Sequence, residues 1–498
     1  MDDVDVAVIG AGFGGLGAAL SLAERGARVR LCETLSYPGG CASTFTRRRC
    51  RFESGATLFS GFGDGQLFAR WIEQHALDVS VDFLDPVVEL RAPGLALEVP
   101  SDRDAWVDRL CALEPARAPR VRALFAEQGR VADALWELFG DPELLPPFDL
   151  PALLRHARRA PRYLPLLRWV GRPLWALVER HDLADFAPLT TFLDAVSQIT
   201  VQASAREAEA PFAMATMDYY FRGTGHVRGG IGELAGALVG AIEAQGGEVR
   251  LTDRVRGLAR TRDGRWRVTA RRGTFVADTV IANLLPRALR RLLAPGVEVE
   301  PRLAELDRAV QTGWGAVMLY RVLEPDAVEH RGAHHVELVA DPDAPLVEGN
   351  HSFCSISAAD EERAPGGGRT MTVSTHVAGR ALRGSADPGA RVAAIQARMR
   401  ETLARLAPEL ERGVRFEMTG SPRTFERFTG RPDGLVGGIP RRAGLDNYRH
   451  LWPAPVAPAL YLVGDTVFPG QSTLATALGG VKLADHIAGP AGARRRAS

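Results

Sequence analysis

Residues 4–33 constrain this chain more than any other stretch. Val4-Asp5-Val6-Ala7-Val8-Ile9 reads as a short buried strand and runs straight into Gly10-Ala11-Gly12-Phe13-Gly14-Gly15. An Ala/Leu-rich segment follows, with Leu16, Ala19, Leu20 and Ala23 at helical spacing. Gly26 ends that helix, residues 27–32 form a second strand, and Glu33 closes it. Strand, glycine turn, helix and strand in this order place a dinucleotide fingerprint in the context that gives it meaning. Gly10 permits the tight turn, Gly12 leaves room for a pyrophosphate, and Gly15 lets the helix pack close to the strand. The helix start offers unpaired N–H groups and a partial positive charge to phosphate. A carboxylate at Glu33 can accept from ribose hydroxyls.

A chain of 498 residues is too long for one simple core, so two interleaved domains are expected. The formal net charge of +1 gives no bulk attraction to nucleic acid. Lys482 is the sole lysine, so the basic residues are otherwise arginines. The five cysteines (Cys32, Cys41, Cys50, Cys111 and Cys354) are scattered without metal-ligand spacing. That predicts a reduced, cytoplasmic setting and no metal site. The first strand starts too early to leave room for a signal peptide, and no apolar run has transmembrane length.

Two further stretches bear on the same site. After Glu33 comes Tyr37-Pro38-Gly39-Gly40-Cys41-Ala42-Ser43, whose paired glycines suit a second close approach to a diphosphate or ribityl chain. The alternative is an ordinary Pro-Gly turn. Residues 51–57 alternate like a strand returning toward the site. Near the C-terminus, residues 460–463 form an apolar strand ending in Gly464-Asp465. A loop, Phe468-Pro469-Gly470-Gln471-Ser472-Thr473, then leads into a helix marked by Leu474, Leu478 and Val481. The Asp465 carboxylate can hold cofactor hydroxyls, and the helix start can stabilise negative charge on a reduced ring. The glycines at 225–232 have no apolar strand before them, so no second dinucleotide site, and hence no NAD(P)H site, is expected.

The fingerprint, Glu33, Gly39-Gly40 and Glu53-Ser54-Gly55 together resemble the flavin-dependent amine oxidase and carotenoid desaturase superfamily. Gly464-Asp465, Pro469-Gly470, Gly420-Ser421-Pro422-Arg423-Thr424-Phe425 and Arg431-Pro432-Asp433-Gly434 are similar to its carotenoid isomerase, carotenoid desaturase and retinol saturase branch. One departure is Glu53, where branch members often have Asp. The resemblance implies an α/β fold: a Rossmann-type FAD-binding domain with an interleaved α+β substrate domain. It also implies a backbone contact of Val255 with the adenine. The FAD domain is expected at 1–70, 227–285 and 420–490, the substrate domain with a helical lid at 71–226 and 286–419, and a basic tail at 491–498. No Cys or His lies in 460–480, so the FAD should be non-covalent.

Residues 70–225 are rich in Leu, Trp, Pro and Arg and read as a mostly helical insertion that supplies a substrate pocket or lid, with no strands marked out by glycines. Within it, residues 151–180, beginning at Pro151, carry Arg155, Arg158, Arg159, Arg162, Arg168, Arg172 and Arg180 among leucines, Trp169 and Trp175. Such a stretch suits either an anionic membrane surface, with both tryptophans at the headgroups, or a solvated face of a packed helix. Residues 284–420 read as a sheet-and-helix layer. Its histidines (334, 335, 351 and 376) form no metal box and are expected on the surface or in the core. No nucleophile elbow is legible, and no catalytic residue is assigned. The expected activity is FAD-dependent redox or isomerisation chemistry on carbon–carbon bonds of a long apolar polyene or isoprenoid, with peripheral contact to the inner face of the membrane. The alternatives are a flavin amine oxidase and a prenyl-lipid-binding protein of the GDP-dissociation-inhibitor type.

Overall fold

The computed structural model describes residues 3–55 and 58–489. Its first sheet is built around Asp3–Ile9, with Val29–Cys32 on one side and Gly273–Ala282 on the other, all parallel. Glu248–Arg250 extends the sheet beyond Val29–Cys32. Leu460–Leu462 joins alongside the second half of Gly273–Ala282. The first half of that long strand pairs antiparallel with Trp266–Ala270, which pairs with Val255–Arg260. Parallel strands covered on both faces need nearly continuous burial. Val29–Cys32 is buried at every position, and Arg30 manages this by lying over the Phe275 ring (4.6 Å) and donating to Glu248 (2.6 Å).

Two helices, Phe13–Ala23 and Thr473–Ala488, cross in backbone contact beside this sheet. A Cβ on Gly17 would sit 2.6 Å from the Ala477 carbonyl oxygen, and one on Gly480 would sit 2.4 Å from that of Gly14. Only glycine allows so close a crossing.

The second sheet runs Val414–Gly420, Trp314–Leu323, Arg369–Ala378, His351–Ile356, His334–Val339, Val88–Ala92, Leu95–Val99. Its pairs are antiparallel except where His334–Val339 meets Val88–Ala92. Side chains alternate across it. Val317, Leu319 and Leu323 pack against the helix Pro388–Leu406, while Ala316, Met318 and Tyr320 face the hairpin Thr44–Arg47/Cys50–Glu53. The helices Arg103–Leu113, Ala118–Gly140, Leu150–Leu167, Trp175–Arg180, Ala187–Thr200 and Ala210–Met217 form a layer of their own. Its core includes Trp106, Trp169 and Phe192.

Several expectations are revised. Residues 70–225 are not wholly helical: Val88–Ala92 and Leu95–Val99 form a hairpin of the second sheet. Val88, Leu90 and Ala92 alternate with Glu89 and Arg91 ahead of Pro93-Gly94, a strand-and-turn pattern. The strand expected at 51–57 is Cys50–Glu53, and residues 56 and 57 lie outside the described residues, as does the basic tail. The helices Pro286–Leu292 and Pro301–Val310 still pack on the first sheet, whereas Leu435–Val436 pairs with the second. Trp169 and Trp175 are buried, so neither can sit at a membrane headgroup. Among the described residues, no helix is long and apolar enough to cross a membrane, and no His/Cys/Asp/Glu cluster could hold a metal.

Candidate functional site

A cavity of about 710 Å³ runs from the glycine turn of the first sheet to the face of the second. One end is a cradle of backbone. The Gly39 N–H donates to the Ala11 carbonyl (2.8 Å), folding the second glycine pair onto the first turn. A Cβ on Gly40 would lie 3.4 Å from the Gly12 Cα. No side chain caps the helix Phe13–Ala23 at Gly12, so its leading N–H groups lack a capping acceptor. Of the expected residues, Gly10, Gly12, Phe13, Gly14, Glu33, Gly39, Gly40, Cys41, Ala42, Val255, Asp465, Gln471, Ser472 and Thr473 line the cavity.

The four others stand behind the wall. Gly15 backs onto Gly10, where a Cβ would fall 2.0 Å from the carbonyl oxygen. The Ser43 hydroxyl donates to Ser54 Oγ (3.1 Å). Gly464 lies under Asn283, and Gly470 faces the Arg441 guanidinium. Glu53 also stands outside the cavity. It accepts from the Ile231 N–H (3.1 Å) and from Arg363 (3.1 Å), so its departure from the family pattern concerns a brace between the hairpin and the helix Ile231–Ala244.

The buried Glu33 carboxylate accepts from the Ala11 N–H (2.7 Å) and the Leu35 N–H (2.8 Å). Burial pushes its pKa up, against these backbone amides. Two N–H contacts leave lone pairs on the carboxylate for a ribose. Asp465 is held by Arg431 (2.7 Å). Burial opposes the Arg431 charge, but the neighbouring Asp465 raises its pKa overall. The start of the helix Thr473–Ala488 opens on the same cavity. Ser472 caps it by accepting from the Ala475 N–H (3.0 Å), while the buried Thr473 hydroxyl has no partner.

Three contributors had no assigned role in the sequence. Asn283 ends Gly273–Ala282 and lays its amide across the glycines: Cβ atoms on Gly12 and Gly464 would lie 2.5 Å from its Nδ2 and Oδ1. Gly437 and Gly438 admit Gln202 and Asp465, at 1.9 Å from Nε2 and 2.0 Å from the carbonyl oxygen for hypothetical Cβ atoms. Their adjacent glycines were the available signal. The third is His376, which the sequence left to surface or core. It lines the cavity, and burial pushes its pKa down to about 3, with His351 adding to the effect.

The other end of the cavity is different in kind. Leu58, Phe59, Trp136, Phe139, Phe212, Met318 and Phe353 dominate it. Polar groups there are Ser60, Thr200, Gln202, Thr216, Tyr219, Ser374, Thr375 and His376; among the described residues that line it between 58 and 219 and between 316 and 376, none is Asp, Glu, Lys or Arg. Arg441 marks its border, stacked on Phe212 (5.0 Å) and donating to the Pro469 carbonyl (3.0 Å). Burial lowers its pKa to about 10, so it stays charged at neutral pH. Lys482 is outside the cavity, paired with Asp485 (2.8 Å).

A parallel dinucleotide sheet, two helix starts converging on one cavity, and a second sheet closing its far end define a two-domain flavoprotein oxidoreductase. The chain belongs to the family of flavin containing amine oxidoreductases, whose model matches residues 13–481. FAD is its cofactor, and the cradle, the Asn283 amide and the unpartnered Thr473 hydroxyl fit such a group. The chain is 25% identical over 530 residues to the chloroplastic prolycopene isomerase of Arabidopsis thaliana, covering 99% of this chain and 84% of that protein. It is 26% identical over 260 residues to human all-trans-retinol 13,14-reductase, covering 50% of this chain and 41% of that protein. Its fold is similar to an oxidoreductase from Methanosarcina mazei, with a TM-score of 0.66 at 19% identity over 96% of this chain and 99% of that one.

Proposed function

We propose that this flavoprotein acts on carbon–carbon bonds of a long, apolar polyene or isoprenoid. The observation that carries the reading is the substrate end of the cavity, where aromatic and aliphatic side chains converge with no Asp, Glu, Lys or Arg among the described lining residues of 58–219 and 316–376, and the arginine at its border, Arg441, adds positive and not negative charge. A cationic amine would need a counter-charge there, and Lys482 is not available to hold a water beside the cofactor. The similarity to a prolycopene isomerase and a retinol reductase agrees with this choice.

When bound, FAD supplies a two-electron acceptor or donor for hydride at its ring. The chain's own residues do the rest. Gly12, Gly14, Gly39 and Gly40 would admit the diphosphate, and Glu33 the adenosine ribose. Val255 would meet the adenine. Asp465, fixed by Arg431, would hold hydroxyls between the two ends. Thr473 and the helix start behind Gln471 and Ser472 would offer hydrogen bonds and positive potential to the ring. Phe59, Phe212 and Met318 would exclude water and stack an extended substrate against the cofactor. No Cys or His lies in 460–480, so the cofactor is held without a covalent bond.

The test is anaerobic incubation of the FAD-loaded protein with a panel of polyenes and a panel of primary and secondary amines, following flavin absorbance and products. Conversion of a polyene, with no bleaching by amines, is the expected result. An amine that reduces the flavin within seconds, with every polyene unchanged, would replace this reading with amine oxidation.

A further inference from the structure

The helix Leu150–Leu167 is amphipathic the wrong way round for a packed surface helix. Leu150, Leu153, Leu154, Leu164 and Leu167 are all exposed, from 51% to 70%. Several of its polar side chains turn toward the protein. Arg155 donates to Glu143 (2.6 Å), Arg159 lies near Glu137 (4.0 Å), and the His156 ring contacts the Leu144 carbonyl (3.1 Å) and the Tyr163 hydroxyl (3.0 Å). The leucines are not scattered. The ten exposed large hydrophobic side chains of the described residues include these five and two on the adjoining loop, Leu445 and Trp452. Leu445 sits within 3.3 Å of where a Gly171 Cβ would be, just past the helix, and Trp452 packs edge-on to Phe148 (5.8 Å), just before it. One face of the molecule therefore carries seven of the ten. A contiguous exposed apolar patch marks an interaction surface.

Charge selects the occupant. Residues 150–178 contain no Asp or Glu. Arg158 and Arg172 are exposed, and no ion pair engages either among the described residues. A second copy packed face to face would bring two sets of unpaired arginines into one interface with no acid on either helix to pair them. A leaflet with anionic headgroups offers hydrocarbon for the leucines and negative charge for the rim. The wall behind the helix supplies Trp136 and Phe139 to the cavity, so this face also backs onto the apolar end of the site.

We infer that Leu150–Leu167, flanked by Leu445 and Trp452, lies in the interface of an anionic lipid bilayer with its leucines in the acyl region. The tryptophans expected at the headgroups take no part in this attachment, and most of the arginines are already paired. Trp169 and Trp175 are buried, and Arg155, Arg159, Arg162 and Arg168 are engaged by Asp141, Glu143, Glu137 and Glu127. Insertion of leucines, with the unpaired arginines as rim, supplies the attachment. The inference is independent of which substrate is turned over.

Flotation of the FAD-loaded protein with vesicles of phosphatidylcholine, alone or mixed with phosphatidylserine, tests it. The wild type should float with both, more with the mixture, and should keep most of its binding at high salt. The L153D/L154D/L164D variant should lose binding at least roughly tenfold, the worth of one buried leucine or more, while keeping its flavin absorbance and elution volume. The R158E variant should lose only the preference for the anionic mixture. Three results would overturn the inference: wild-type protein that never floats, binding abolished by salt alone, or a dimer in solution that the leucine substitutions dissolve without any vesicle binding.

Discussion

The two ends of the cavity are built by opposite uses of the chain. At the end cradled by Gly10, Gly12 and Gly14, one contiguous strand–turn–helix makes the centre of the surface, with Gly39-Gly40 and Asn283 folded onto it, and what matters is the absence of side chains on the glycines. At the other end, side chains make the surface, and they arrive from residues 58, 136, 212, 318 and 353 on separate elements. The first end recognises a group common to a whole superfamily, so a local pattern suffices. The second selects one substrate class, and its shape exists only after distant segments pack. Backbone geometry tolerates no change at the first end, whereas volume-conserving apolar swaps at the second are expected to be mild.

The largest effect should come from Gly15→Ala. Its Cβ would meet the Gly10 carbonyl oxygen at 2.0 Å, a backbone atom that cannot swing aside. We expect a loss of about 3 kcal/mol in stability and a protein isolated without flavin, read by thermal unfolding and visible absorbance. A yellow, stable variant would break the distinction between the ends. Next is Arg431→Ala, which strands the Asp465 carboxylate at the cavity wall without its partner. A cost of about 2.5 kcal/mol is expected. A double-mutant cycle with Asp465→Asn should recover part of it, and strict additivity would make the pair incidental.

Glu33→Ala should cost about 2 kcal/mol of FAD affinity through lost charge-assisted hydrogen bonds, measured by flavin release on dilution. The last effect, the smallest when read per pH unit, sharpens the far end. His376 is held neutral in the fold, its pKa lowered to about 3 from 6.5, chiefly by burial. Below pH 6.5 the unfolded chain takes up a proton that the folded one refuses, so stability falls as pH drops toward 3. His376→Asn should remove up to about 1.4 kcal/mol per pH unit from that acid limb, seen in denaturant melts across the range. Identical acid limbs would mean that the far end is wet.

Local pattern made the first sheet legible. Residues 4–33 carry strand, turn and helix within one short window, and Leu460–Leu462 leading to Gly464-Asp465 repeats the logic. The hidden contributors reach the site only through tertiary pairing. Asn283 arrives because Gly273–Ala282 pairs with Asp3–Ile9 in a register that ends Ile9 beside Ala282. Arg431 was visible as part of a motif, but nothing local says that its partner is Asp465. His376 shares a strand with residues of both faces, and only the alternation of a placed sheet decides which face it joins. The hairpin at 88–99 was masked because its flanks are helical and rich in Leu and Trp. The amphipathic stretch at 151–180 was visible as composition, but which of its faces meets the protein depends on Glu137, Asp141 and Glu143.

The crossing of Phe13–Ala23 over Thr473–Ala488 has a consequence for biogenesis. The glycine turn at Gly10–Gly15 leaves the ribosome long before the helix that buttresses it, Thr473–Ala488. Its sheet likewise waits for residues 248–250, 273–282 and 460–462. A nascent chain must therefore carry an unfinished dinucleotide unit while the several hundred residues between them are made. Flavin capture is expected only once Thr473–Ala488 has emerged, and chains truncated ahead of Thr473 should leave the ribosome colourless.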